Sequence, residues 1–181
     1  MKKYGLSKKE LILSILTTAI CHVALMLMMM LTLIINVEGD ILNFLNTEIN
    51  NVITVIVALS ILSIIMYSYF LVENKAVIAK CSKIIEIYVL LGIALILNVV
   101  IGKYVSPTAR PLLFFSLMAC MFVRRREAVF LNSVFMLTIF VFNRYLNSVD
   151  VSGGTVQMIE SFAGLLTSFC GGVLCIFLMK N

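Results

Sequence analysis

The chain has 181 residues, of which 62% are hydrophobic and 13% are charged, and its formal net charge is +5. A soluble domain is typically about 45–50% apolar and about 25% charged, so this chain has too little polar surface to cover a globule in water. Its basic residues are scattered between apolar runs and form no stripe with interleaved aromatic residues, which argues against nucleic-acid binding. The composition predicts an integral membrane protein whose main partner is the lipid bilayer.

Six apolar runs along the chain are long enough to be considered as membrane spans. A helix that crosses the hydrocarbon core of roughly 30 Å needs about 20 apolar residues. The predicted spans are Leu11–Asn36, Val52–Val72, Ile84–Ile101, Ser106–Val123, Ala128–Tyr145 and Val156–Met179. The first run is too long for a cleavable signal peptide and is expected to remain in place. The predicted fold class is therefore all-α, with residues 1–181 forming one domain of six transmembrane helices.

The distribution of lysine and arginine predicts the orientation of these helices. If the N-terminus is cytoplasmic, eleven of these residues lie in cytoplasmic segments and three lie outside. The cytoplasmic set is Lys2, Lys3, Lys8, Lys9, Lys75, Lys80, Lys83, Arg124, Arg125, Arg126 and Lys180, and the outer set is Lys103, Arg110 and Arg144. Because positive residues favour the cytoplasmic side, both termini are predicted to be cytoplasmic, and the location is predicted to be a bacterial cytoplasmic membrane. The Arg124, Arg125 and Arg126 triplet is predicted to anchor the topology.

Ionisable residues within predicted spans are candidates for a function. His22 lies in the first span, where it could contact a proton or a ligand. A hydrogen bond from His22 to a neighbouring helix is the alternative. Glu86 follows Lys83 by three residues, and this spacing allows a local ion pair at the cytoplasmic interface.

Two further candidates lie at the outer side of the predicted bundle. Arg110 stands in the first turn of the fourth span, and its side chain is expected to reach outward to water. It could instead pair with Asp150 or Glu160, or bind an anion. The fourth span has a short uninterrupted apolar run and contains Arg110 near its start, and the orientation depends on it.

Residues for catalysis are scarce in this sequence. It contains one histidine and two aspartates, Asp40 and Asp150, and both aspartates lie in predicted outer loops. Metal-dependent hydrolysis needs clustered ligands of these types. The five cysteines form no CxxC pair. The chain is therefore predicted not to be an enzyme, and to hold no metal or cofactor.

One stretch resembles a known family. The sequence YVSPTARPLLFFSLMACMFVRRREAVFLNSVF, preceded by YFLVENKAVIAKCSKIIEIYVLLGIALIL, resembles the membrane domain of the seven-transmembrane HD phosphohydrolases, which cleave cyclic di-AMP. In that family a helix opens on an outer proline, ends at a short inner turn, and is followed by a helix that Arg126, Ala128 and Asn132 match. The resemblance covers roughly residues 52–179 and extends to the glycine-rich GGVLCIFLMK.

Two departures from the family pattern limit what the resemblance implies. Only an acidic segment of about 15 residues stands where the family has an extracellular domain, and the HD domain with its metal ligands has no counterpart. The resemblance therefore implies a non-catalytic sensory or anchoring domain that acts through a cytoplasmic signalling protein. The alternative is a small-solute uptake component, similar to the substrate-binding subunit of an energy-coupling-factor vitamin transporter, which would bind other transporter subunits.

Overall fold

The computed structural model describes residues 7–36, 41–104, 118–119, 121–149 and 154–179, and every element in this part of the chain is helical. The helices are α1 (Lys8–Asn36), α2 (Ile41–Glu73), α3 (Lys75–Ile78), α4 (Cys81–Tyr104), α5 (Arg125–Val149) and α6 (Gly154–Met179). The predicted all-α fold class is confirmed. The fourth predicted span, with Arg110, lies almost entirely outside the described residues.

Three helices in the described part of the chain are long and apolar enough to cross a membrane. These segments are Lys8–Leu31 in α1, Val52–Glu73 in α2 and Cys81–Asn98 in α4. A shorter apolar segment, Leu166–Leu178, lies in α6. Helix α5 is not among these segments; its first three residues are all charged, and it includes Asn132 and Arg144. The structure therefore supports a membrane location, with three helices of spanning character in the described residues.

Helix α2 begins earlier than the sequence predicted. The second predicted span starts at Val52, but the helix already starts at Ile41 and runs for 33 residues. Ile41, Leu45 and Ile49 recur every four residues, so an apolar stripe continues into the segment despite its asparagines. At 1.5 Å per residue the helix is roughly 50 Å long, which exceeds the thickness of the hydrocarbon core.

A tight turn joins α2 to α4 through the single-turn helix α3. Asn74 follows the last residue of α2, and its backbone N–H still donates to the carbonyl of Phe70 over 3.0 Å, but its own backbone angles (φ −146°, ψ 80°) are not helical, so the helix ends there. Its side-chain Oδ1 then accepts from the N–H of Ala76 over 3.2 Å, which caps α3. The side chains of Val77 and Ile78 are buried beneath the turn. The turn between α2 and α4 is therefore held by several backbone hydrogen bonds and by the Asn74 side chain.

The helices pack as two groups that share α2. In the first group α1 packs mainly against α4, where Gly92 allows Met28 to approach. In the second group α5 packs against both α2 and α6. The ring of Tyr69 on α2 stacks on Phe130 of α5 with centroids 3.7 Å apart. Helix α2 is thus the element that holds the two groups together.

Small residues in α6 are only partly used for packing. Gly172 and Ile176 are buried, and Nδ2 of Asn132 on α5 donates to the Phe169 carbonyl over 3.4 Å. Gly164, two turns earlier, has open space where a side chain would stand. Gly172 is therefore buried, whereas Gly164 lies on an open surface in the described part of the structure.

Candidate functional site

A polar cluster lies among the apolar side chains of α1, α2 and α4. We define it as Ser14, Thr18, His22, Ser60, Ser63, Tyr67 and Tyr88. Its members recur every three or four residues on α1 and again on α2, so each helix turns one polar stripe towards its neighbour. Interhelical hydrogen bonds between such side chains stabilise membrane bundles by about 0.6 kcal/mol on average.

His22 forms the central contact of this cluster. Its Nε2 lies 3.1 Å from the hydroxyl oxygen of Ser60, which confirms a hydrogen bond to a neighbouring helix. The Ser60 hydroxyl donates its one proton to the carbonyl of Ile56 over 2.8 Å, so it accepts from His22. The imidazole is therefore protonated on Nε2. Nδ1 is then an acceptor, and it is buried without a hydrogen-bond partner among the described residues.

Two further hydrogen bonds of the cluster join hydroxyl groups on neighbouring helices. The Ser14 side chain is fully buried and donates to the Leu11 carbonyl over 2.8 Å. The hydroxyl of Tyr67, 2.8 Å away, therefore donates to Ser14 and joins α2 to α1. Ser63 of α2 and Tyr88 of α4 are also hydrogen-bonded through their hydroxyl groups. The cluster thus links all three helices that have spanning character.

A groove of about 270 Å³ lies beside the cluster, between α1 and α2. Its lining consists of Ile15, Thr18, Ala19, His22, Ser60, Ser63, Ile64 and Tyr67. The groove is mostly apolar, with the imidazole as its one titratable nitrogen base. Because Nδ1 is buried and Nε2 is bonded to Ser60, such a surface suits the apolar part of a small molecule.

A second polar region lies at the predicted cytoplasmic end of α2, α4 and α5. Glu127 is 4% exposed, and Nδ2 of Asn74 donates to its Oε1 over 2.7 Å. The backbone N–H of Arg124 donates to the other carboxylate oxygen over 3.0 Å. Glu127 is the third residue of α5, so this second bond is half of a capping box. The buried carboxylate is thus satisfied from two elements.

The three arginines of the triplet have different environments. Arg124 precedes α5 and is exposed. Arg125 donates from Nη2 to the Phe177 carbonyl over 3.2 Å, and its guanidinium lies 5.0 Å from the centroid of the Phe177 ring. Arg126 is 83% exposed and approaches Glu73 at 3.9 Å. Arg125 therefore stabilises the end of α6, where exposed carbonyls and the helix dipole favour a cation.

The remaining predicted residues are placed as follows. The predicted ion pair of Glu86 with Lys83 is present, with Nζ 2.8 Å from Oε2. Glu86 does not line the groove beside His22. Glu160 lies in α6, but its side chain is outside the described part of the structure, as is all of Arg110. Among the described side chains, Glu86 is therefore not brought together with His22.

Several residues of both regions were missed at the level of sequence. The spacing of Ser14, Thr18 and His22, each four residues apart, was a signal for a polar stripe. The spacing of Arg124 and Glu127 was a signal for a helix start. Within the described residues no group of three histidine, cysteine, aspartate or glutamate side chains is placed to hold a metal ion. The four cysteines in this part of the chain, Cys21, Cys81, Cys170 and Cys175, are unpaired.

No family model matches this chain, and no curated protein or solved structure matches it either.

Proposed function

We propose that this chain is a non-catalytic membrane domain of sensory or anchoring type, which acts through a cytoplasmic partner protein. The observation that carries the proposal is the contact of Asn74 with Glu127, because it fastens the turn between two spanning helices to the first turn of α5. The resemblance to the membrane domain of the seven-transmembrane HD phosphohydrolases supports the same function. In this proposal six spans place both termini and the arginine triplet in the cytoplasm.

The connection gives a route for rigid movement between the two helix groups. A displacement of α4 relative to α2 changes the position of α3, and Asn74 transmits the change to the buried carboxylate of Glu127. Because α5 begins only two residues before Glu127, its start follows the turn. A partner that contacts this end would detect the displacement as a change in the surface it binds.

Site-specific crosslinking tests this proposal. A photoreactive amino acid at Lys75, which is exposed on α3, should crosslink one cytoplasmic protein in intact cells. The same group at Ile61, which is 52% exposed near the middle of the spanning segment Val52–Glu73, is the matched control and should crosslink no soluble protein. Equal patterns at both positions contradict the proposal. Hydrolysis of cyclic di-AMP by the purified chain alone contradicts its non-catalytic character.

The groove beside His22 favours a second candidate function, a small-solute uptake component. The groove is an almost wholly apolar space of about 270 Å³ between two helices of spanning character, and His22 is among its lining residues. A solute with an apolar body suits this surface. A thermal-shift screen against vitamins separates the two functions: strong stabilisation of wild type by one compound, lost in His22→Ala, supports uptake.

A further inference from the structure

A groove of about 340 Å³ opens at the predicted cytoplasmic end, between the turn after α2 and the start of α5. Its polar lining is Asn74, Lys80, Lys83, Arg124 and Glu127. We refer to it as the basic groove. It lies where the spanning segment Val52–Glu73 ends and the segment Cys81–Asn98 begins, so it is at the boundary between hydrocarbon and water.

The charge of the basic groove is positive. Lys80 and Arg124 are exposed and form no ion pair within the described residues. The carboxylate of Glu127 is directed to Asn74 and to a backbone N–H, and it is almost fully buried. Lys83 is held between Glu86 and the Phe122 ring, whose centroid lies 5.8 Å from Nζ. The groove therefore offers two unpaired cations beside a third that is already positioned.

Apolar side chains also line the groove or lie close to it in the chain. Met121 is 73% exposed and Phe122 is 42% exposed, and both line the groove. Val72, in the last turn of α2, is 79% exposed. A ligand that fits this surface is anionic at one end and apolar at the other. A free anion would use only the cations.

We propose that the basic groove binds the phosphate headgroup of an anionic phospholipid, with an acyl chain against Met121 and Phe122. Basic pockets between membrane helices at the cytoplasmic side bind such headgroups. The phosphodiester oxygens would accept hydrogen bonds from Lys80, Lys83 and Arg124. This proposal does not depend on the sensory function, since a lipid at this position would be held whether or not a protein partner binds.

Native mass spectrometry of the purified chain tests the site. The chain is stripped of lipid in detergent and then titrated with phosphatidylglycerol or with phosphatidylcholine. Wild type should retain phosphatidylglycerol at least about tenfold better than phosphatidylcholine, because each cation near an anionic headgroup contributes to the affinity. The Lys80→Gln/Arg124→Gln variant should lose most of this preference, and Lys80→Arg/Arg124→Lys should keep it.

A matched control separates the groove from general surface charge. The Lys9→Gln/Lys75→Gln variant removes two charges from the same predicted side, and neither residue lines the groove. It should retain the preference of wild type. Equal losses in both double-glutamine variants overturn the proposal, as does an unchanged preference in Lys80→Gln/Arg124→Gln. Displacement of the lipid by an equal concentration of inorganic phosphate would reassign the groove to a free anion and also overturn it.

Discussion

Asn74 and Glu127 are 53 residues apart in the chain, yet the amide of one donates to the buried carboxylate of the other over 2.7 Å. The bond joins the turn below α2 to the first turn of α5. Few other polar contacts in the described residues cross between these elements, so this pair bears directly on how firmly the two helix groups are connected.

Removal of the Glu127 carboxylate should destabilise the protein. Glu127→Ala leaves the Asn74 amide and the Arg124 N–H without their acceptor, at a cost of about 1–3 kcal/mol each when buried. Thermal unfolding in detergent, followed by helix ellipticity, measures the change. Glu86→Ala is the matched control, because its ion pair with Lys83 is partly exposed and such pairs contribute about 0–1 kcal/mol. Equal losses in the two variants would contradict the buried role of Glu127.

The hydrogen bond between His22 and Ser60 should appear as a coupling energy. A double-mutant cycle of His22→Ala and Ser60→Ala should give about 0.6 kcal/mol, and at most about 1.7 kcal/mol, as found for interhelical bonds in membranes. The measurement is the unfolding free energy of the four proteins in one detergent. The pair Thr17→Ala and Ser60→Ala is the control, since Thr17 bonds to its own helix. A coupling energy no larger than that of the control would show that the side chains of His22 and Ser60 do not interact.

Gly92 should tolerate alanine but not leucine. A Cβ at this position would lie 3.0 Å from Cε of Met28, and this atom is the far end of a flexible side chain. Gly92→Ala should therefore be close to neutral, because the gain in helix propensity of up to about 1 kcal/mol offsets the contact. Gly92→Leu should cost about 1–3 kcal/mol through overpacking.

Gly164 is the control for Gly92, since it has open space around it. There alanine and leucine should give similar unfolding temperatures. If Gly92→Leu were as stable as Gly164→Leu, α1 and α4 would not be in close contact at this position.

The charge of the arginine triplet should control the topology. Substitution of Arg124, Arg125 and Arg126 by glutamate reverses the charge of a short segment at the start of α5 that is predicted to be cytoplasmic. We expect disturbed insertion. It is detected by introducing single cysteines into a cysteine-free form of the chain and labelling them with an impermeant reagent in intact cells. A topology identical to that of wild type would count against the predicted orientation.

The helices could be predicted because apolar run length depends only on local sequence. The Lys83–Glu86 pair could be predicted for the same reason, since both residues lie on one helix. The early start of α2 was missed because asparagines between Ile41 and Ile49 conceal a four-residue apolar repeat. The contact of Asn74 with Glu127 could not be predicted, because it depends on how α2 packs against α5.

The groove beside His22 also required the structure. The imidazole could be placed on a polar stripe from its spacing with Ser14 and Thr18. Its partner on α2 and its tautomer depend on the Ser60 hydroxyl, whose own proton is used within α2. Only the two hydrogen bonds of Ser60 together, one with His22 and one with the Ile56 carbonyl, identify Nδ1 as the ring nitrogen that can accept a hydrogen bond.

The position of α2 between the two helix groups also constrains how the chain assembles during synthesis. His22 and Ser60 are separated by 38 residues, whereas the main packing partner of α1 is α4, which follows later. The polar side chains of α1 can therefore form hydrogen bonds with α2 before α4, the main packing partner of α1, has been synthesised. A newly inserted α1 would be held in place by Ser60 and Tyr67 until α4 arrives, so loss of these two side chains should slow assembly more than it lowers final stability.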